Sequence, residues 1–493
     1  MDGSRRKNTE NGKFGMEGNI QCRPAAPRLR TSAGAARTAA VLLLGIVLTG
    51  CRRTPREPVT LGYTYSWNED RPQTRALFQR FADETGIRIK AIPVPEYTRD
   101  YVDLAVKLLE DGSGADVLNI DLIWAATLEP NLLDLQPLLA GEIPQIEPQL
   151  LSSYTVNGKL VAVPFNVPLG GLEYRSDLLR EYGYDHPPRT WDELESMAGR
   201  IQAGERAKGN KDFWGYVWQG AAGEALTCNA LEWQAAAGGG RIIEPDGTIS
   251  VNNPATVRAW QRARHWIGWI SPPSVVSYRE LDSMLVFDSG RAAFNRIWLL
   301  TPMTRAGQAR QTGWRSSPPV VKTGFARMPA GPAGSAGTLG GTGTAVSSHS
   351  PHRNEAIAFV RYQLRALMKA GEENSMAAAR APAEFANSPS VSDPGTLPAG
   401  SDHPASIVAR PSIAAGDKYK QVSKAYIDAV YSVLTGQKQA SEAAAELEKQ
   451  LIEITDFHAG PPKTAEKRLD PRKRPAFNAG SVFPFPTAYA GWR

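Results

Sequence analysis

Five consecutive segments decide the fold class: VTLGYTY (59–65), PQTRALFQRFADETG (72–86), IRIKAI (87–92), DYVDLAVKLL (100–109) and ADVLNI (115–120). The first and third alternate in polarity and the fifth is a short apolar run, all of strand length. The second places Ala76, Leu77, Phe81 and Ala82 on one helical face, and the fourth does the same with Tyr101, Leu104, Ala105 and Leu108. Strand, helix, strand, helix, strand within about 60 residues predicts an α/β fold with a parallel-type sheet flanked by helices.

Outward from this block the pattern continues. Strand-like runs fall at Leu160–Val163, Leu172–Tyr174 and Gly215–Trp218, between helical stretches at Trp191–Ile201, Ala225–Ala237, Pro254–Trp269 and Ala356–Met368. The chain reads as helical again from Pro404 to Thr455, with Tyr419–Leu434 and Ser441–Ile454 as the two main pieces. Thr190 with Glu193 three residues on predicts a capping box at the start of the Trp191 helix. Ala330–Gly343, rich in Gly, Ala and Pro, reads as a loop. No internal repeat is present. At 493 residues the chain exceeds what one core supports, so two lobes are expected.

The formal charge of +6 is not evidence for a nucleic-acid partner, because of where it sits. Residues 1–50 carry +5 and residues 463–493 carry another +5, which leaves −4 for the body between them. A body of that sign lacks the basic footprint of a nucleic-acid binder. Residues 38–50, TAAVLLLGIVLTG, follow Arg28, Arg30 and Arg37 and have the layout of a secretory signal. They are too short for a membrane span, which needs about 20 apolar residues. Cys22 would leave with this leader and Cys228 would stand alone, so no disulfide framework is expected.

Leu48-Thr49-Gly50-Cys51 resembles the lipobox of bacterial lipoproteins. The resemblance implies cleavage before Cys51, a lipid on that residue, and residues 51–58 as a tether between the membrane and the fold. Each buried CH₂ of such a lipid contributes about 0.8 kcal/mol to anchoring.

A larger resemblance is carried by Asp116–Trp124, Gly158–Pro164, Leu172–Leu179, Thr190–Leu194, Tyr216–Gly220 through Leu226–Asn229, Gly290–Phe294 and Leu339–Gly341. In this order and spacing they resemble family 1 extracellular solute-binding proteins, in the trehalose/maltose-binding branch. The resemblance implies a periplasmic-binding-protein-like fold of two hinged lobes with a ligand cleft between them. The lobes are expected over 59–165 with 299–370, and over 166–298 with 371–460. The implied function is capture of a sugar, a disaccharide or small oligosaccharide, for an ABC permease. The protein would be a monomer with no cofactor and no metal, held on the extracytoplasmic face by its lipid.

A sugar offers apolar C–H faces and a rim of hydroxyls, so its site needs aromatic platforms and groups that pair hydrogen bonds. By position in the family pattern, the resemblance implies contacts from Asn68, Asp121, Tyr174, Trp298, Gly341 and Arg410. Thr342 is a departure, since many relatives carry an aromatic residue after the paired glycines. Trp67, Trp218 and Glu224 fit the chemistry. Competing bland readings are a core role for any single Trp, helix capping for Asp121, and a plain ion pair for Arg410.

Two other functions share this chemistry. A carbohydrate-active enzyme also displays aromatics and paired carboxylates, yet the chain has six His and lacks His-Glu-x-x-His, Cys-x-x-Cys and a Walker-type loop. Ala333-Gly334-Ser335-Ala336-Gly337 departs from a nucleophile elbow at its first position. A binding protein serving a membrane sensor would have the same cleft. The tail 461–493, basic and proline-rich, argues against a packed element there.

Overall fold

The computed structural model describes residues 58–65, 72–94, 98–111, 114–146, 148–166, 168–299, 322–380 and 405–463. The leader, Cys51 and its tether, Trp67, Asn68 and the tail from 464 lie outside the described residues.

The opening block folds as its periodicity dictates. Strand β1 (Thr60–Tyr65) is followed by helix α1 (Pro72–Thr85), β2 (Arg88–Pro93), α2 (Thr98–Glu110) and β3 (Val117–Asp121). Next come β4 (Thr155–Val156) and β5 (Lys159–Leu160), joined through Asn157 and Gly158 at φ 50° and 80°, the left-handed pair that an Asn-Gly hairpin turn requires. Strands β6 (Val163–Asn166) and β7 (Gly170–Arg175) lead to α3 (Trp191–Ala207), β8 (Trp214–Val217), α4 (Glu224–Ala236), α5 (Pro254–Trp266), α6 (Glu280–Asp288) and β9 (Ala292–Trp298). The remainder is β10 (Thr323–Arg327), β11 (Ala330–Gly331), β12 (Gly334–Thr338), β13 (Thr342–Val346), α7 (Arg353–Arg380), β14 (Ala405–Val408), α8 (Tyr419–Leu434) and α9 (Ala440–Thr455).

These strands form a five-stranded sheet in the order β2-β1-β3-β13-β6, a four-stranded sheet β10-β7-β9-β8, and a three-stranded sheet β11-β12-β14. The α/β class is as expected, but the sheets are mixed rather than parallel. β1 pairs parallel with β2 and β3, and β8 with β9, each across a helical connection. β13 pairs antiparallel with β3 and β6, and β7 antiparallel with β9 and β10. A parallel neighbour needs a long crossover, whereas β7 and β13 enter their sheets straight from another sheet. Between Asn166 and Gly170 the chain passes from β6 in the five-stranded sheet to β7 in the four-stranded one, with Pro168 and Leu169 described, and 339–341 carry it from β12 to β13. The two crossing segments pair with each other, through the Leu169–Leu339 bridge and a Gly340 N–H bond of 2.9 Å to the Pro168 carbonyl.

Three expectations are corrected. Ala330–Gly343 is not a loop: it contributes β11, β12 and the start of β13. Two of its glycines serve close backbone approach. A Cβ on Gly331 would lie 2.4 Å from the Ala236 carbonyl oxygen, and one on Gly337 2.7 Å from that of Gly170. Ala405–Val408, expected to be helical, is a strand parallel to β12. Residues 299–370 were expected to return together to the first lobe, but β10 pairs with β7 in the four-stranded sheet, and the five-stranded sheet is rejoined only at Thr342.

Around the four-stranded sheet the core is unusually rich in indoles. Trp191 stacks on Trp266 with centroids 5.2 Å apart, and Trp218 meets Trp233 edge-on at 5.0 Å. Thr190 caps α3 by accepting the Glu193 N–H at 3.2 Å, while the Glu193 carboxylate accepts from Arg189 N–H, one residue before the position a strict capping box uses.

Candidate functional site

Asp121 is the last residue of β3, and its carboxylate has two jobs. Oδ1 accepts the Ile123 N–H at 3.1 Å, capping the Leu122–Trp124 turn, and also accepts from Arg410 Nη2 at 3.3 Å. Oδ2 has no hydrogen bond among the described residues, and about a fifth of the side chain (21%) is exposed. The capping reading of Asp121 therefore holds, through Oδ1. Burial pushes its carboxyl up from the usual range, against the pull of the Arg410 guanidinium.

Arg410 follows β14, which the parallel pairing with β12 brings alongside α4. Its side chain is buried, and Nη1 donates to Glu224 Oε1 at 3.0 Å. Nε is buried with no partner among the described residues. Glu224 opens α4, and α8 supplies two further donors to it: the Tyr419 hydroxyl to Oε1 at 2.5 Å and the Ser423 hydroxyl to Oε2 at 2.6 Å. Burial, with the Glu224 charge adding to it, holds the Tyr419 phenol well above its usual range, so it stays a donor. One guanidinium thus sits between two carboxylates whose positions in the chain are 103 residues apart, tying the end of β3 to the start of α4.

Trp298, the last residue of β9, is partly exposed. The Arg296 guanidinium carbon lies 4.1 Å from the centroid of its ring. Its six-membered ring abuts Gly340 so closely that a Cβ there would fall 2.7 Å from Cζ3. Gly341 follows at φ 124°, a backbone that suits glycine, and its carbonyl accepts the Leu122 N–H at 3.1 Å. Thr342 then pairs in register with Asp121. Trp298, Gly341, Thr342, Asp121, Arg410 and Glu224 accordingly form one connected set at the second crossing.

Two expected contacts are elsewhere. Trp218 is fully buried in the indole core, with Nε1 donating to Ser271 Oγ at 3.1 Å, so its role is packing. Tyr174 is covered by Gly324, where a Cβ would lie 2.3 Å from its ring. Trp298 registers with Gly170, four residues before Tyr174 on β7, or about 13 Å along the strand, so Tyr174 does not join the set. The sequence reading missed Tyr419 and Ser423, whose helical spacing marks them as core. It also missed Arg296 and Glu232, for which a signal existed: each is a lone charge in an otherwise uncharged element, AAFNRIW and, past its first turn, EALTCNALEWQAA. Among the described residues no group of His, Cys, Asp and Glu is placed to hold a metal ion, and no helix is long and apolar enough to cross a membrane.

The family described as bacterial extracellular solute-binding protein matches residues 66–366 of this chain. A protein of Deinococcus radiodurans, described as a probable ABC transporter-binding protein, is 39% identical over 383 residues, which are 76% of this chain and 88% of that one. Among solved structures, maltose-bound MalE3 of T. maritima aligns with a TM-score of 0.67 and 29% identity, covering 80% of this chain and 100% of that one. A solute-binding protein of Thermotoga lettingae bound with α-D-tagatose aligns with a TM-score of 0.66 and 23% identity, covering 80% and 100%, a likeness of fold.

Proposed function

The chain belongs to the bacterial extracellular solute-binding proteins, and from that premise we propose that it captures a disaccharide or small oligosaccharide and delivers it to an ABC importer without altering it. The observation that carries the sugar assignment is the set at the second crossing. The Asp121 Oδ2, without a partner among the described residues, is an acceptor for a ligand hydroxyl, and the partly exposed Trp298 ring is a surface for the C–H face of a pyranose. The likeness to the maltose-bound relative supports the same class of ligand.

In this reading the five-stranded and four-stranded sheets are the cores of two lobes, hinged at residues 168–169 and 339–341. A ligand touching both lobes favours the closed form by its differential contacts, which is what lets a permease distinguish loaded from empty protein. Secretion by the leader and a lipid on Cys51 would keep the protein at the outer face of the membrane.

A thermal-shift screen against mono-, di- and trisaccharides tests this. A sugar at a hundredfold excess over its dissociation constant should stabilise the native state by about 2.7 kcal/mol. Trp298→Ala should remove that response. A panel of sugars that leaves the midpoint unmoved, while amino acids or peptides raise it, would refute the assignment.

A further inference from the structure

A second ion pair lies beside this set, and the proposed function leaves it unused. Glu232 on α4 and Arg296 on β9 are both fully buried. Glu232 Oε1 accepts from Arg296 Nη2 at 2.6 Å, and Oε2 from Nε at 3.2 Å. Withdrawing two charges from water costs about what their attraction returns, so well-packed apolar side chains would hold the fold equally well. The pair's other contacts point to what the charges do instead.

The Arg296 guanidinium lies over the Trp298 ring. Glu232 Oε1 also accepts the N–H of Thr338, the last residue of β12 before the second crossing, at 3.0 Å. Thr338 is held again through its hydroxyl, which donates to the Cys228 carbonyl of α4 at 3.0 Å. At the far end of the first crossing, a Cβ on Gly170 would lie 1.9 Å from Glu232 Oε1 and 2.6 Å from Arg296 Nη2. One bidentate pair therefore touches the indole and the ends of both crossing segments. A cation held over an indole by a fixed partner also restricts how that ring can tilt.

We propose that Glu232 and Arg296 are positioning residues for Trp298, fixing the tilt of its ring and tying that tilt to the two crossing segments. The inference rests on Trp298 being the sugar platform. A ligand stacking on the ring would then act on the hinge through the carboxylate that holds Thr338, without touching the hinge itself.

The test compares the parent protein with the double variant Glu232→Met/Arg296→Met, using maltose or whichever panel sugar gives the largest melting shift. The double variant is expected to stay folded at a somewhat lower urea midpoint, because the Thr338 N–H loses its acceptor, and to bind about tenfold more weakly. In protein labelled with 5-fluorotryptophan, the ¹⁹F resonance of Trp298, assigned by its loss in Trp298→Phe, should shift even without ligand. A merely structural pair would leave the sugar affinity of the folded variant at the parent's value. Should the double variant fail to fold, Arg296→Lys keeps the charge and loses the flat guanidinium, and it should show the same shift and weakened binding. Trp298→Ala separates the two levels of the argument: parental affinity there overturns the platform and the inference together. If Trp298→Ala loses binding while the double variant, or Arg296→Lys in its place, keeps the parent's affinity, the inference alone is overturned.

Discussion

Replacing Arg410 with methionine keeps the length of the side chain but removes the charge between Asp121 and Glu224. Breaking a buried ion pair by removing one member costs about 3–5 kcal/mol, because an uncompensated charge remains. Here the removed member is the buried one, with 3% of its side chain exposed, while the two carboxylates left behind expose 21% and 24%. Water reaches them, and Glu224 keeps the Tyr419 and Ser423 hydroxyls, so the loss should lie near about 2–3 kcal/mol at pH 7.5. The sign of the pH dependence follows from Asp121. Burial already holds its folded carboxyl above the usual range against the opposing pull of Arg410, and losing the guanidinium raises it further. A carboxyl raised in the folded state contributes stability at low pH that is lost as pH rises through its folded value. The deficit of Arg410→Met should therefore shrink between pH 7.5 and pH 5, and Asp121→Asn in the same background should recover part of it at pH 7.5. Urea unfolding followed by circular dichroism at both pH values measures this. A deficit below about 0.5 kcal/mol, or one unchanged between the two pH values, would refute the assignment of these carboxylates to one buried charge cluster.

Two further predictions separate core from site. Trp218→Phe leaves the Ser271 hydroxyl without its indole donor and opens space among Trp233 and Trp266, so it should cost about 1–3 kcal/mol of stability while sugar affinity measured by calorimetry stays at the parent's value. Burial pushes the Cys228 thiol up to about 12; in a chain carrying Cys22→Ser and Cys51→Ser, Ellman's reagent at pH 8 should label it about a thousandfold more slowly than free cysteine until the protein unfolds, and rapid labelling of the native protein would contradict its placement.

What the sequence revealed and what it hid follow from the range over which each signal acts. Alternation in IRIKAI and helical spacing in DYVDLAVKLL are local, and both segments folded as read. The glycines of Ala330–Gly343 misled because composition registers that a Cβ is missing but not why. At Gly331 and Gly337 it is missing because another backbone passes there, and that neighbour is remote in sequence. The site shows the same limit more sharply. Asp121 and Arg410 were each singled out, by the resemblance and by residue chemistry, yet that one takes the other as its partner across 289 positions is a property of the fold. Tyr419 and Ser423 were hidden in another way: a helix face that points at a half-buried carboxylate has the same spacing as one that points at leucine.

The distribution of free lone pairs explains how such a site can bind and also let go. Each charged group at the second crossing is already occupied: Arg410 by two carboxylates, Glu224 by a guanidinium and two hydroxyls, and Arg296 by Glu232. Among the described residues a ligand arriving there would meet no unpaired cation, and would find the second oxygen of the Asp121 carboxylate and the partly exposed face of an indole. Such contacts are individually modest, about 1.5–3 kcal/mol for a hydrogen bond to a carboxylate and about 0.5–1.5 kcal/mol for ring stacking. Affinity must then come from several of them made at once, which requires the crossing segments to hold the groups at fixed separations. It also follows that separating those groups by opening the hinge would release the ligand in a single step, with no strong bond left to break, as a protein that must hand its cargo onward requires.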